Sequence, residues 1–131
     1  MQEVAFPLRC DDDTIPEDAP IRKWCYHLME ASKLMGMDLT NPVHYADWMR
    51  DAGFVNVTTK ILMLPGNEWP KGRDMKLRGQ WMLQNGLDGL QGFTVALFTR
   101  VLQWPIEEVE TFLIGVRKDV KNRQMHAWWP V

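Results

Sequence analysis

The sequence has very little cysteine and no surplus of either charge. Cys10 and Cys25 are its only cysteines in 131 residues. Neither has a Cys or His neighbour at metal-ligand spacing, which argues against a disulfide-stapled scaffold and a zinc module. Both read as plain thiols. Fifteen basic side chains against seventeen acidic ones leave a net charge of −2, too balanced for a chain whose affinity would come from neutralising phosphates. Nucleic acid is not the expected partner. Long hydrophobic runs are missing too: no apolar stretch approaches the roughly 20 residues of a membrane helix, and no charged start leads into an apolar core as in a signal peptide. These absences predict a soluble protein of the cytoplasm or nucleus with no membrane partner.

What is present is one domain's worth of ordinary globular chain, 46% hydrophobic and 24% charged, with seven Trp and nine Met. So much soft and aromatic side chain is either core or the wall of an apolar pocket, and composition does not choose between them. Met1 to Leu8 alternates weakly and has no opening turn or cap, which predicts a strand that enters from elsewhere in a sheet. Asp11, Asp12, Asp13, Glu17 and Asp18 follow, with Pro16 and Pro20. Consecutive acids point in different directions, so this is a solvated loop and no metal site is assigned.

Two helices are expected between residues 20 and 53. Trp24, Leu28, Ala31 and Met35 recur at helical spacing before Gly36. Asn41 and Pro42 then make a start signal, Tyr45, Trp48, Met49 and Ala52 share a face, and Gly53 makes a left-handed stop. Residues 54–64 read as a strand, because Val55, Val57, Thr59, Ile61 and Met63 alternate with mostly polar neighbours. Residues 74–121 read as a helical insertion. Gly79, Gly86, Gly89 and Gly92 predict a break or a kink in its first part. The spacing of the last three suits close packing rather than a phosphate cradle. Pro105 opens its second part, which carries Glu107 and Glu108 early, Lys118 and Lys121 late, and a buried face of Ile106, Val109, Phe112, Leu113, Val116 and Val120. Residues 125–131, aromatic and extended, read as a final strand.

The order strand, helix, Asp51-Ala52-Gly53-Phe54 turn, strand, helical insertion and terminal strand resembles the carboxyl-terminal half of a class I S-adenosylmethionine-dependent methyltransferase. The AGF turn alone is a weak signal. The run from Arg78 to Val131 (RGQWMLQNGLDGLQGFTVALFTRVLQWPIEEVETFLIGVRKDVKNRQMHAWWPV) is far more distinctive, and is similar to the fungal methyltransferases related to LaeA. The resemblance spans nearly the whole chain. It implies an α/β fold: the carboxyl-terminal part of a Rossmann-like sheet, with three strands at residues 1–8, 54–64 and 125–131 and the helical insertion as a lid over the substrate side. In that family the glycine-rich turn and the ribose-binding acid both belong to the amino-terminal half. No strand followed by GxGxG occurs here, so no cofactor-binding residue is assigned. The chain is read as a truncated product, a split-enzyme subunit or a degenerate copy. S-adenosylmethionine would then bind only when a missing half or a partner completes the site.

The resemblance places the substrate pocket after the first strand and within the insertion. Trp24, Trp81 and Asn85 are the expected substrate-binding wall. His27, three residues beyond Trp24, is the expected catalytic base, a role that suits an imidazole at neutral pH. His44 reads as solvent-facing or capping and His126 as structural. Two functions follow. The chain is the substrate-side portion of a methyltransferase that modifies a small molecule or regulates fungal secondary metabolism, or it is a non-catalytic interaction module derived from one. Either way an open sheet edge at residues 1–8 predicts a protein partner or self-association.

Overall fold

Helix packing dominates the computed structural model, which describes residues 1–131. Its elements run α1 (Pro20–Leu34), a short 3-10 turn (Asn41–His44), α2 (Tyr45–Asp51), β1 (Met63–Pro65), α3 (Arg73–Arg100), α4 (Ile106–Lys121) and β2 (Trp128–Pro130). α1, α3 and α4 pack against one another, and α3 also packs on β1.

α1 starts at Pro20 with no side-chain cap of its own. Its orphan amide is served from far along the chain, where Oδ2 of Asp119 in α4 accepts the Ile21 N–H at 3.0 Å. A carboxylate at a helix start also suits the helix dipole. The face of α1 that carries Ile21, Trp24, Cys25 and Leu28 is buried. It meets Val109, Leu113 and Val116 of α4 and Leu90 and Phe98 of α3 in one apolar cluster. Gly36 and Gly53 end the first two helices with φ of +80° and +93°, values that only glycine adopts freely.

The glycines of the insertion do not break it. α3 runs 28 residues from Arg73 to Arg100 without interruption. Gly79 serves close approach instead: a Cβ there would lie 2.0 Å from the Asn67 carbonyl oxygen. The chain turns only at residues 101–105, with Gln103 at φ +60°, before Pro105 leads into α4.

The sheet is smaller than three strands. β1 and β2 pair antiparallel, with Leu64 opposite Trp129, and form a two-stranded sheet. The Leu62 and Val131 backbones exchange two further hydrogen bonds beside it. The stretch 1–8 is not a strand. It lies alongside β2 through Ala5 N–H to the Pro130 oxygen and a single bridge at Arg9 and Trp128. Pro7 has no N–H to donate there, so a continuous ladder is interrupted. The strand expected at 54–64 is likewise cut down to Met63–Pro65. Upstream, Asn56 takes φ +57°, and Val55 and Ile61 are 83% and 62% exposed. Alternation specifies a strand only where a partner and a core face exist to receive it.

Trp128 and Trp129 point to opposite sides of β2, as a period of two requires, and both are buried. Trp129 joins Phe6 and Trp24 (centroids at 4.8 and 6.4 Å). On the other side the Trp128 ring lies under the Arg9 guanidinium at 5.3 Å and donates its N–H to Asp11 at 3.0 Å. The acidic loop is therefore folded onto the sheet. Oδ1 of Asp12 accepts the Thr14 hydroxyl at 2.8 Å, and its other oxygen pairs with the His126 ring. His126 in turn stacks on Trp69.

Candidate functional site

The walls of the principal apolar cavity come from parts of the chain far apart in sequence, α4 and the turn after β1 among them. Phe6 reaches it from the amino-terminal segment, Trp24 and Leu28 from α1, Leu90 and Gly86 from α3, and Trp129 from β2. Its volume is about 420 Å³, and 14 of its 19 lining residues are hydrophobic. Phe93 and Met37, 63% and 55% exposed, are also lining residues and stand where it meets solvent.

Phe6, Trp24 and Trp129 form a corner of three rings. Phe6 is tilted against both tryptophans, by 50° and 54°, and the tryptophans stand edge to face at 87°. The polar edge of Trp24 is already satisfied: Nε1 donates to the Thr94 hydroxyl at 2.8 Å, which donates onward to the Leu90 carbonyl. Such a ring offers its apolar surface and no free donor.

The polar liners are few. Asp119 is 8% exposed and its Oδ2 is engaged with Ile21 N–H. Asn67 is 2% exposed. Its amide donates to the Val120 and Asn122 carbonyls at 3.1 Å each, and its oxygen accepts the Trp69 N–H. It thereby holds the turn after β1 against the end of α4. Ser32, 3% exposed, completes the polar set. Nothing in the molecule gathers three or more His, Cys, Asp or Glu side chains as metal ligands would require.

Of the four residues expected at the site, the cavity brings in Trp24 alone. His27 lies on α1 but turns away into a second aromatic group. Its ring stands edge-on to Trp104 at 4.9 Å and to Phe98 at 5.8 Å, and Nδ1 is 3.6 Å from Glu30. Three residues along a helix is about 300° of rotation at 3.6 residues per turn, enough to separate the two faces here. Trp81 is 65% exposed and Asn85 is exposed; both sit on the outer side of α3, outside the cavity lining. Two residues that do line it, Asn67 and Asp119, had a readable signal only in part. Asp119 follows Val116 by three positions on an otherwise apolar stripe, where an acid needs a buried partner.

A wider recess of about 650 Å³ lies elsewhere, between the first residues, α2 and residues 54–62. Phe54 and Val55 on its border are 60% and 83% exposed. No helix of the structure is long and apolar enough to cross a membrane.

Over all 131 residues the chain is 41% identical to a probable methyltransferase, tdiE, of Emericella nidulans, covering 41% of that protein. It is 31% identical over 127 residues to a secondary metabolism regulator of Cochliobolus heterostrophus, again 41% of its length. Over another 127 residues it is 31% identical to the methyltransferase pytC of Aspergillus terreus, 39% of its length. A protein-methionine methyltransferase, laeA of Emericella nidulans, is 25% identical over 131 residues. No family model matches the chain. No solved structure matches it either. The chain is thus similar over nearly its whole length to LaeA-like fungal methyltransferases, and it spans about two fifths of the length of the curated relatives it matches.

Proposed function

From that kinship we propose that the chain supplies the acceptor-binding portion of an S-adenosylmethionine-dependent methyltransferase of fungal secondary metabolism, acting on a small molecule. The observation that carries this reading is the aromatic-walled cavity of about 420 Å³, within the size range of small-molecule sites. Apolar walls suit the reaction: methyl transfer from a sulfonium to a neutral acceptor disperses positive charge, and a dry site avoids stabilising the charged reactant.

The residues present do not fit the donor itself. Its ribose hydroxyls call for a free carboxylate and its amino-acid end for free backbone amides. The cavity's one carboxylate, Asp119, already accepts the Ile21 amide. We therefore assign the donor site to a polypeptide that completes the domain as a Rossmann-like sheet, and no step through the donor to this chain. What the chain does is bind the acceptor, orient it and exclude water. His27 is assigned no proton transfer, because its ring faces Trp104 and Phe98 rather than the cavity.

The test is calorimetric titration of the purified chain with S-adenosylmethionine, alone and with any co-purifying fungal protein, followed by transfer of labelled methyl. We expect no heat from the chain alone, and both binding and transfer in the complex. Donor binding by the chain alone would contradict the assignment. A second reading, a non-catalytic interaction module, draws support from the exposed Phe54, Val55, Ile61 and Leu62 (60, 83, 62 and 41% exposed), since clustered apolar surface of this kind suits a protein partner or self-association. A complex silent in both assays would favour that module.

A further inference from the structure

The walls of the cavity restrict the chemistry of what it can hold, and this restriction rests on reading it as the acceptor site. We propose that the cavity takes a neutral, planar aromatic molecule, and that Gly86 fixes how large that molecule can be.

Neutrality follows from the lining. No Lys, Arg or His lines the cavity, and Asp119 is its only charged liner. An anion would be buried without a counter-charge, beside a carboxylate. A cation would find that carboxylate already accepting the Ile21 amide at the start of α1, whose dipole answers its charge. Aromaticity follows from the corner of Phe6, Trp24 and Trp129, whose planes differ by 50°, 54° and 87°. A flat guest laid on any one ring presents its edge to another, so it gains stacked and edge-to-face contacts together. A saturated guest of the same size gains burial alone.

Gly86 sits in the wall on α3, and a Cβ there would meet nothing within 4 Å. It carries no left-handed backbone angle. A larger residue is therefore compatible with the helix, and more favourable to it than glycine, while its side chain enters the open space. Close approach of backbones does not require a glycine here, unlike at Gly79. The room it leaves belongs to the guest.

The experiment titrates the full chain by calorimetry with four probes of one shape: naphthol, its saturated analogue decalol, naphthoate and naphthylmethylammonium. Naphthol should bind saturably at one per chain, and each of the others about tenfold or more weaker, the ratio expected when aromatic contacts or burial of a bare charge decide affinity. Gly86→Leu should weaken naphthol about tenfold or more with a thermal midpoint no lower than that of the unaltered chain. Equal binding of decalol would overturn the aromatic class, and equal binding of either ion would overturn neutrality. Neither of those results touches the acceptor reading, which methyl transfer in the complex scores separately. Failure of all four probes, or a folded Gly86→Leu chain that binds naphthol unchanged, would overturn the cavity as the binding site.

Discussion

Gly79→Ala and Gly86→Ala make the same chemical change in the same helix, and their surroundings predict opposite outcomes. In a helix interior alanine is favoured over glycine by about 0.5–1 kcal/mol. At position 86 nothing opposes that gain, since the new methyl meets no atom within 4 Å. At position 79 the methyl would fall 2.0 Å from the Asn67 carbonyl oxygen and 2.5 Å from its carbon. These are backbone atoms and cannot rotate aside, so α3 must retreat by an ångström or more from the turn after β1. That turn is itself fixed by the bonds from Asn67 to the Val120 and Asn122 carbonyls. Overpacking of this kind costs about 1–3 kcal/mol, and a contact with backbone belongs at the upper end. After the helix gain is subtracted, Gly79→Ala should lose about 1–2 kcal/mol. At roughly 4 °C per kcal/mol for a chain of this size, its midpoint should fall by about 4–8 °C while that of Gly86→Ala rises by about 2–4 °C. Thermal unfolding followed by circular dichroism reads both. A Gly79→Ala chain as stable as Gly86→Ala would show that α3 does not approach the turn as described.

Asp119→Ala should cost about 1–3 kcal/mol in urea unfolding, because it strips the buried Ile21 amide of its acceptor. Burial pushes the Cys25 thiol up to about 12 from 9.0. The unfolded chain then releases a proton that the folded chain keeps, so this residue's contribution should decline as pH rises from 9.0 toward about 12. In a thiol-labelling assay at pH about 8, Cys10 should react first and Cys25 only on unfolding. The His126 ring, then the Thr14 hydroxyl, hold the Asp12 carboxyl well below its usual range of 3.8. Its contribution is present above that range and is lost in acid. Asp12→Asn should therefore lower the midpoint at neutral pH, and the gap from the unaltered chain should close as the solution is taken below pH 3.8; a gap independent of pH would refute the role given to this pair.

Helical faces were legible because they are local. Trp24, Leu28 and Ala31 on α1 and Val109, Leu113 and Val116 on α4 are buried at the spacing the sequence announces. Met35, counted on the same stripe, lies past the end of α1 and is 54% exposed, since a stripe does not state where its helix ends. The strands were less legible, because pairing is settled by distant residues. Only Leu62 to Pro65 find a partner in Trp128 to Val131, and Val55 to Ile61 do not. Composition alone could not show that the glycines of α3 divide into one that admits backbone at 79 and one that leaves open volume at 86. The cavity was half legible for the same reason. Trp24 belongs to it by its position on a buried stripe, but nothing near His27, Trp81 or Asn85 reveals that each faces another way. Asn67, inside a turn-rich link, bonds to residues 53 and 55 positions away, and no local pattern encodes that.

α3 is fully buried at two places and only partly buried or exposed between them. One is Gly79 against Asn67, and the other is the buried set Leu90, Thr94 and Phe98. The intervening span, about 16 Å at ~1.5 Å per residue, has Met82 and Gly86 over the cavity. It behaves as a beam fixed at both ends, and widening the space beneath requires that beam to bow or one support to slip. The slenderer support is Gly79, a single residue resting on a single turn. Whatever loosens the grip of Asn67 on the end of α4 would therefore be felt in the mid-span, without any change to the residues that line it.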